Sequence, residues 1–446
     1  MYDSVTETCM EFPSRSDLDD LIEPQPLPSF ARVRYEPETT RIDDPAAAAR
    51  SEVADLTLST LDPGARVAVG VGSRGIHALD EVVRAVVSTL DDRGFEPVVV
   101  PAMGSHGGAT AAGQREVLAA LGITEASVDA PIDATMETRE LETVTVGETP
   151  TTVHFSTAAL DADAVVVVNR VKAHTNFTGP IESGLSKMTV VGLGKQRGAK
   201  SFHSTAIKEG YVETLEAALD VIREAVPLLA GVALVENFEE ETAHVESVEG
   251  ESFTDREPAL LEWAYDEMPT LPFDDVDFLV VDELGKEISG AGMDTNVIGR
   301  YRVLNAPDPE TPNVKLLYVR GLTEKTKGNG NGVGLADMTR QAAINQLDLQ
   351  KAYANALTSG SIAKIQLPVV APDDEFAIRA SLVALGGYDP EAVRVVWIRN
   401  TQDLTEFRIS EALIDELPAT AQVVARERLA YEDGTASFEA WNNDRP

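Results

Sequence analysis

The sequence is poor in cysteine: Cys9 is the only one in 446 residues. One thiol excludes a disulfide within the chain and a cysteine cluster for zinc or iron–sulfur binding. The N-terminus has no basic region followed by an apolar one, and no apolar run reaches the length of a membrane span. These absences predict a soluble, cytoplasmic protein that does not associate with a membrane.

Basic residues are also scarce, since 37 lysines and arginines face 74 acidic residues and give a net charge of -37. Nucleic acids and anionic membranes are disfavoured as partners, because they would be repelled by a surface of this sign. An acid-rich surface suits a halophilic protein, because concentrated salt screens its self-repulsion. We therefore expect low salt to destabilise the fold. An acidic disordered chain is excluded because 43% of the residues are hydrophobic.

Lysine is distributed unevenly. All lysines lie between Lys172 and Lys364, and basic residues elsewhere are almost all arginine. Five of the lysines fall in one short run, namely Lys172, Lys187, Lys195, Lys200 and Lys208. The segment HTNFTGPIESGLSKMTVVGLGKQRGAKSFH, from His174 to His203, is also rich in glycine and serine. We interpret this segment as a functional site.

Hydrophobic periodicity predicts an α/β fold. Continuous apolar strands alternate with amphipathic helices, which is typical of a parallel, doubly wound, Rossmann-like sheet covered on both faces. The strands predicted for this N-terminal domain are 66–72, 97–103 and 162–170. Further strands at 277–285, 315–322 and 393–400 predict a smaller α/β domain. We place the active site in the cleft between the two domains.

We assign residues 1–270 to the N-terminal catalytic and cofactor-binding domain and residues 271–446 to the C-terminal domain. Residues 1–50 are expected to form an irregular arm on the first domain, and 238–257 a polar connection. A last helix is predicted over 411–429, packed back on either domain.

Three loops leave the carboxyl ends of the predicted strands: GSRGI (72–76), GSHGG (104–108) and NRVKAHTNF (169–177). Ligands bind at this edge of an open parallel sheet. We therefore expect Arg74, His106 and His174 to meet there.

The first loop carries the pattern G-x-G-x-x-G, formed by Gly70, Gly72 and Gly75. This is the fingerprint of a dinucleotide site, but the second strand ends in Val100-Pro101 without the acidic residue that binds ribose. Two other interpretations stay open: an anion site made by backbone N–H groups and Arg74, and a tight turn without a ligand.

The remaining candidates are two histidines, a lysine and a third histidine. His106 and His174 can exchange a proton near neutral pH. Lys187 can hold an anion or form a covalent bond through its amine. His203 can ligate a metal, although the sequence places no other ligand beside it. The alternative for each is an exposed residue without a role.

The chain resembles the nickel-pincer lactate racemase family in the order of four features. These are GSHGG, then His174, then S-G-L-S-K ending in Lys187, and then His203 sixteen residues later. The resemblance implies nickel held by a pyridinium-3-thioamide-5-thiocarboxylic acid mononucleotide, which is tethered to Lys187 through a thioamide. His203 would complete the planar nickel site. His106 and His174 would be the acid/base residues of a 2-hydroxy acid racemase or epimerase.

The resemblance also implies cofactor contacts from Ser73, Arg74 and Gly75, substrate contacts from Arg74 and Lys286, and cofactor-assembly enzymes as partners. Glu283 resembles the polar residue three positions before that lysine. The glycine-rich stretch 328–334 either admits a ligand or forms a turn, and a turn is favoured.

Two departures from the family pattern concern the substrate. His174 and Lys187 are thirteen residues apart where lactate-acting members have about ten, and Arg74 follows a serine where those members have an acidic residue. We therefore expect a substrate larger than lactate, such as a sugar acid. Three other functions stay open: an NAD(P)-dependent oxidoreductase, a non-catalytic nickel- or cofactor-binding protein, and a Schiff-base lyase acting through Lys187.

Overall fold

The computed structural model describes residues 11–22, 25–58, 61–73, 75–304 and 307–441. Cys9 and Arg74 lie outside these ranges. The described chain has an α/β fold in two compact units. One unit comprises Thr39–Met268, and the other combines Met1–Glu38 with Pro269–Pro446.

The strands are β1 (Ser29–Tyr35), β2 (Arg66–Val71), β3 (Glu96–Pro101), β4 (Thr138–Val146), β5 (Thr149–Ser156), β6 (Ala164–Arg170), β7 (Leu228–Glu236), β8 (Thr242–Glu249), β9 (Asp275–Val281), β10 (Asn313–Val319), β11 (Met338–Arg340), β12 (Val369–Ala371), β13 (Val395–Ile398), β14 (Glu406–Ser410), β15 (Ala421–Glu432) and β16 (Thr435–Ala440).

The α-helices are α1 (Arg15–Leu18), α2 (Pro45–Asp55), α3 (Leu79–Asp92), α4 (Ala111–Ala120), α5 (Glu125–Val128), α6 (Thr157–Leu160), α7 (Leu185–Lys187), α8 (Lys195–Glu209), α9 (Tyr211–Ala225), α10 (Phe253–Glu267), α11 (Thr295–Ile298), α12 (Gln341–Ile344), α13 (Leu349–Ser359) and α14 (Asp374–Ala384).

The unit Thr39–Met268 is built on a five-stranded sheet of order β3-β2-β6-β7-β8. The first four strands are parallel, and β8 pairs antiparallel with β7. Alternate residues of a strand point to opposite faces. Val67 and Val69 accordingly pack with α2 and α3, whereas Ala68 packs in the cluster that includes α9 and α10. The predicted parallel sheet, covered on both faces, is confirmed.

The other unit contains a nine-stranded sheet of order β12-β11-β10-β9-β13-β14-β1-β15-β16. Its first five strands are parallel, and the strands from β14 onward pair antiparallel. The apolar core on one face includes Phe30, Phe278, Trp397 and the helix α14. This mixed sheet is a second α/β layer structure, as predicted.

Three details of the prediction were wrong. Residues 29–35 are not part of an irregular arm, because they form β1 in the sheet of the second unit. The predicted helix over 411–429 is a short 3-10 turn, Glu411–Glu416, followed by β15. The polar connection over 238–257 contains β8 and the start of α10. These strands lack the continuous apolar run of a strand that is buried on both faces.

Candidate active site

The loops after β2 and β3 meet at the carboxyl edge of the parallel sheet. β2 lies between β3 and β6, so the ends of all three strands are neighbours. Across this edge, the hydroxyl of Ser73 hydrogen-bonds with Nδ1 of His106. The predicted convergence of the first two loops is therefore present. A Cβ added to Gly75 would meet no described atom within 4 Å, and Arg74 lies outside the described residues.

The loop that carries His106 is fixed by tight backbone packing. Gly107 has a positive φ of 65°, and a Cβ there would lie 2.5 Å from the carbonyl carbon of Gly113. A larger residue is therefore excluded at this position. The side-chain amide of Gln114 donates to the Gly104 carbonyl oxygen (2.9 Å). His106 itself is exposed on top of this rigid loop.

Lys195 supports the same loop from within the core. Its side chain is fully buried, and Nζ donates to the Pro101 carbonyl oxygen (2.6 Å) and to Oε1 of Gln114 (3.1 Å). Burial lowers the pKa of the Lys195 ammonium to about 8. This member of the lysine-rich run therefore stabilises the loop that presents His106.

His174 is buried, and its ring is held by its own backbone turn. The Asn176 N–H donates to Nδ1 of His174 (3.1 Å), so the neutral ring carries its proton on Nε2. The carboxylate of Glu182 accepts hydrogen bonds from the backbone N–H groups of His174 and Gly179 and from the Tyr265 hydroxyl. Burial is the main cause that raises the pKa of Glu182. A buried acid thus fixes the turn around His174.

Lys187 ends the short helix α7, and a π-helical turn, Met188–Gly192, follows. Single π turns occur frequently at functional sites. The start of α7 is held by Glu257, whose carboxylate accepts from the backbone N–H (3.1 Å) and the hydroxyl of Ser186. Burial raises the pKa of Glu257 to about 7. The residue before Lys187 is therefore anchored to α10.

The charge of Lys187 acts on two neighbours. It partly offsets the burial that raises the pKa of Glu182, and it contributes to the lowered pKa of His203. For His203 the larger cause is burial, and together the two effects lower its pKa to about 4. His203 is therefore neutral near pH 7, with a lone pair available as a ligand.

An aromatic cluster joins His174 and His203, which are 29 residues apart in the sequence. The ring centre of Tyr211 lies 6.3 Å from that of His174 and 6.5 Å from that of His203. Phe177 stacks on Tyr211 at 4.4 Å and lies 4.6 Å from the His174 ring. We call Phe177, Tyr211 and these two histidines the aromatic cluster. Sequence reasoning missed Tyr211, although it directly follows Gly210, where α8 ends.

The first two glycines of the G-x-G-x-x-G pattern, Gly70 and Gly72, are closely packed. A Cβ on Gly72 would lie 2.9 Å from both Oδ1 of Asn169 and Cε of Met188. The helix that follows the pattern, α3, carries Asp80 and Glu81 in its first turn. Two carboxylates at a helix N-terminus oppose the binding of a pyrophosphate there.

Lys286 and Glu283 belong to the second unit, on the loop after β9. Nζ of Lys286 donates to Oδ1 of Asn355 (2.7 Å), and the carboxylate of Glu283 accepts from Nε of Arg399 (3.1 Å). Within the stretch 328–334, Gly332 has a φ of 108°, and a Cβ there would lie 2.1 Å from the Ala291 carbonyl oxygen. The predicted role of Lys286 in substrate binding stays a prediction.

Among the residues that the structure describes, no group of three or more histidine, cysteine, aspartate and glutamate side chains could hold a metal ion. Within the same ranges, no helix is both long enough and apolar enough to cross a membrane.

Comparisons with known proteins bear on the fold. Residues 72–249 match a family model described as a domain of unknown function (DUF362). No curated protein matches the chain. The lactate racemase apoprotein from Thermoanaerobacterium thermosaccharolyticum is similar in structure, with a TM-score of 0.50 and 11% identity over 82% of this chain and 99% of that chain. A Thermotoga maritima protein has a TM-score of 0.47 and 16% identity over 78% and 85% of the two chains. The similarity to the racemase apoprotein shows a common fold.

Proposed function

We propose that the protein is an isomerase: a racemase or epimerase of a 2-hydroxy acid larger than lactate, with a nickel-pincer nucleotide held by Lys187 and His203. The observation that carries the proposal is the grouping of His174, Lys187 and His203. The aromatic cluster joins the two histidines, and the Lys187 charge acts on His203. The fold common to the lactate racemase apoprotein supports it.

The residues present fit such a group. His203 is neutral and half-buried, which suits an imidazole ligand of nickel. The described residues offer no complete set of metal ligands, so an organic group would have to supply the others. Lys187 would be its covalent anchor. When bound, the nucleotide would supply a hydride acceptor and donor for the substrate carbon.

The chain's own residues would handle the substrate hydroxyl and its proton. Nδ1 of His106 pairs with the Ser73 hydroxyl. When Nδ1 is the donor of this hydrogen bond, Nε2 of the ring is a proton acceptor. His174 carries its proton on Nε2 when neutral and can donate a hydrogen bond to the oxygen of the substrate hydroxyl. Arg74 and Lys286 are proposed to bind the carboxylate, and Ser73, Arg74 and Gly75 the nucleotide.

The NAD(P)-dependent alternative has less support. Gly72 packs closely against the side chains of Asn169 and Met188. The carboxylates of Asp80 and Glu81 would repel a pyrophosphate at the start of α3. We also propose that the protein works in the cytoplasm, in concentrated salt, and receives its nucleotide from assembly enzymes. The acidic composition supports the salt requirement.

The test is a stereochemical assay on protein made in a host that builds the cofactor. Single enantiomers or epimers of lactate and of sugar acids are incubated without NAD(P), and the products are separated by chiral chromatography. We expect interconversion that falls at least about a hundredfold in His106→Asn and His174→Asn. His244→Asn, on the outer strand β8, is the matched control and keeps activity. Net oxidation that requires NAD(P) would contradict the proposal.

A further inference from the structure

The second unit exposes an apolar surface on α13 and on the chain that follows it, through the 3-10 turn Ile362–Ile365 to the start of β12. Its large apolar side chains are between 48% and 69% exposed: Leu349, Tyr353, Leu357, Ile362, Leu367 and Val369. The first three follow one another at intervals of four residues, so they lie on one face of α13. The helix packs against the turn. We call these six side chains the α13 surface.

The α13 surface is nearly free of acidic residues. Residues 341–371 include one, Asp348, whereas the whole chain has 74 in 446 residues. That carboxylate caps the start of α13 and forms an ion pair with Lys351 (3.0 Å). On a chain of net charge -37, this exposed segment therefore carries little negative charge. A clustered apolar surface of this kind is typical of a binding interface.

The α13 surface also includes an end of the nine-stranded sheet. In the described part of the chain, β12 is the outermost strand at one end and β16 at the other. The β16 end carries charge, since Glu439 pairs with Arg428 (2.9 Å). Charged side chains protect a sheet edge from pairing with another chain. At the other end, β12 begins with the exposed Val369, and the exposed Leu367 lies two residues before it.

We propose that the α13 surface is the contact between two copies of this chain. The chain has a net charge of -37, so two copies repel each other where acidic faces meet. The α13 surface, which has little negative charge, is a face on which they can approach. A twofold contact places the same face on both sides. This inference does not depend on the proposed enzymatic function.

The area of the α13 surface indicates a weak dimer. Covering one large apolar side chain removes on the order of 100 Å² from water, so twelve such side chains in a pair give on the order of 1,000 Å². Specific interfaces start at about 1,200 Å². We therefore expect a dimer that depends on protein concentration. It is favoured by high salt, which screens the charge of the two copies.

The test is sedimentation velocity over a hundredfold range of protein concentration, at low and high KCl. We expect a monomer–dimer equilibrium that shifts toward dimer at high KCl. Leu357→Asp should weaken dimerisation at least about tenfold, because it places a charge in the apolar contact. Leu304→Asp is the matched control, since Leu304 is equally exposed at 69% and lies in the same unit outside the α13 surface.

Circular dichroism melting verifies that both variants are folded. A chain that is monomeric under all conditions would overturn the proposal. A dimer that persists in Leu357→Asp, or one that Leu304→Asp disrupts equally, would also overturn it.

Discussion

Replacing Glu257 by glutamine should change how the stability of the protein depends on pH. Glu257 is buried on α10 and accepts hydrogen bonds from the backbone N–H and hydroxyl of Ser186, next to Lys187. Burial raises its pKa from the ordinary 4.5 to about 7. The folded chain therefore binds this proton more tightly than the unfolded chain does.

The magnitude follows from the two pKa values. Stability from the protonated carboxyl is fully present below about pH 4.5 and is lost as the pH rises through about 7. Between pH 5 and pH 8 the wild-type chain should lose about 2–3 kcal/mol of unfolding free energy through this group. Glu257→Gln cannot ionise and avoids that loss, although its amide accepts fewer hydrogen bonds from Ser186 and costs about 1–2 kcal/mol at every pH.

Urea unfolding at pH 5 and pH 8, in one salt concentration, measures this difference. We expect Glu257→Gln to be less stable than wild type at pH 5 and to match or exceed it at pH 8. Glu262→Gln, an exposed position on the same helix, is the control and should follow wild type at both pH values. A difference between wild type and Glu257→Gln that is the same at pH 5 and pH 8 would refute the reasoning.

Three further predictions concern the site and the surface. Tyr211→Ala should destabilise the chain by about 1–3 kcal/mol in urea unfolding, because it removes the ring that contacts His174 and His203. Tyr211→Phe keeps the ring and should stay within about 1 kcal/mol of wild type. Equal losses in the two variants would place the contribution in the hydroxyl. Ser73→Ala should lower turnover about tenfold, because it removes the hydroxyl that hydrogen-bonds with Nδ1 of His106. Unchanged turnover would contradict that role. Lowering KCl from molar to millimolar concentration should lower the melting temperature, because less salt screens the repulsion within a chain of net charge -37. A melting temperature independent of salt would count against the halophilic interpretation.

The central parallel strands could be predicted because burial on both faces makes them continuous apolar runs, such as β2 and β6. The half-exposed strands could not be predicted in the same way. β1 finds its partners in β14 and β15, more than 370 residues later in the chain, and nothing local specifies that pairing. Burial alternates along β15, but its sequence does not alternate, since Arg426, Glu427 and Arg428 follow one another. The sequence therefore predicts a helix where the structure has a strand.

Part of the candidate site could be predicted because it lies at the ends of these central parallel strands. Strand ends of a parallel sheet converge, so the proximity of the Ser73 and His106 loops follows from the strand order. Glu257 and Tyr211 were missed because their importance comes from burial against α7 and against the histidines. Glu257 also lies in the polar stretch 238–257, which has no visible periodicity and therefore favours a connection between the two domains over a helix or strand.

The central claim is that the amine of Lys187 anchors a nucleotide whose nickel is bound by His203. Intact-mass analysis and peptide mapping, together with metal analysis, test it directly on protein made in a host that builds the cofactor. We expect a mass addition on the peptide containing Lys187 with nickel close to one per chain, both lost in Lys187→Ala and kept in Lys200→Ala, an exposed lysine of the same run. An unmodified Lys187 without nickel in that host would contradict the account.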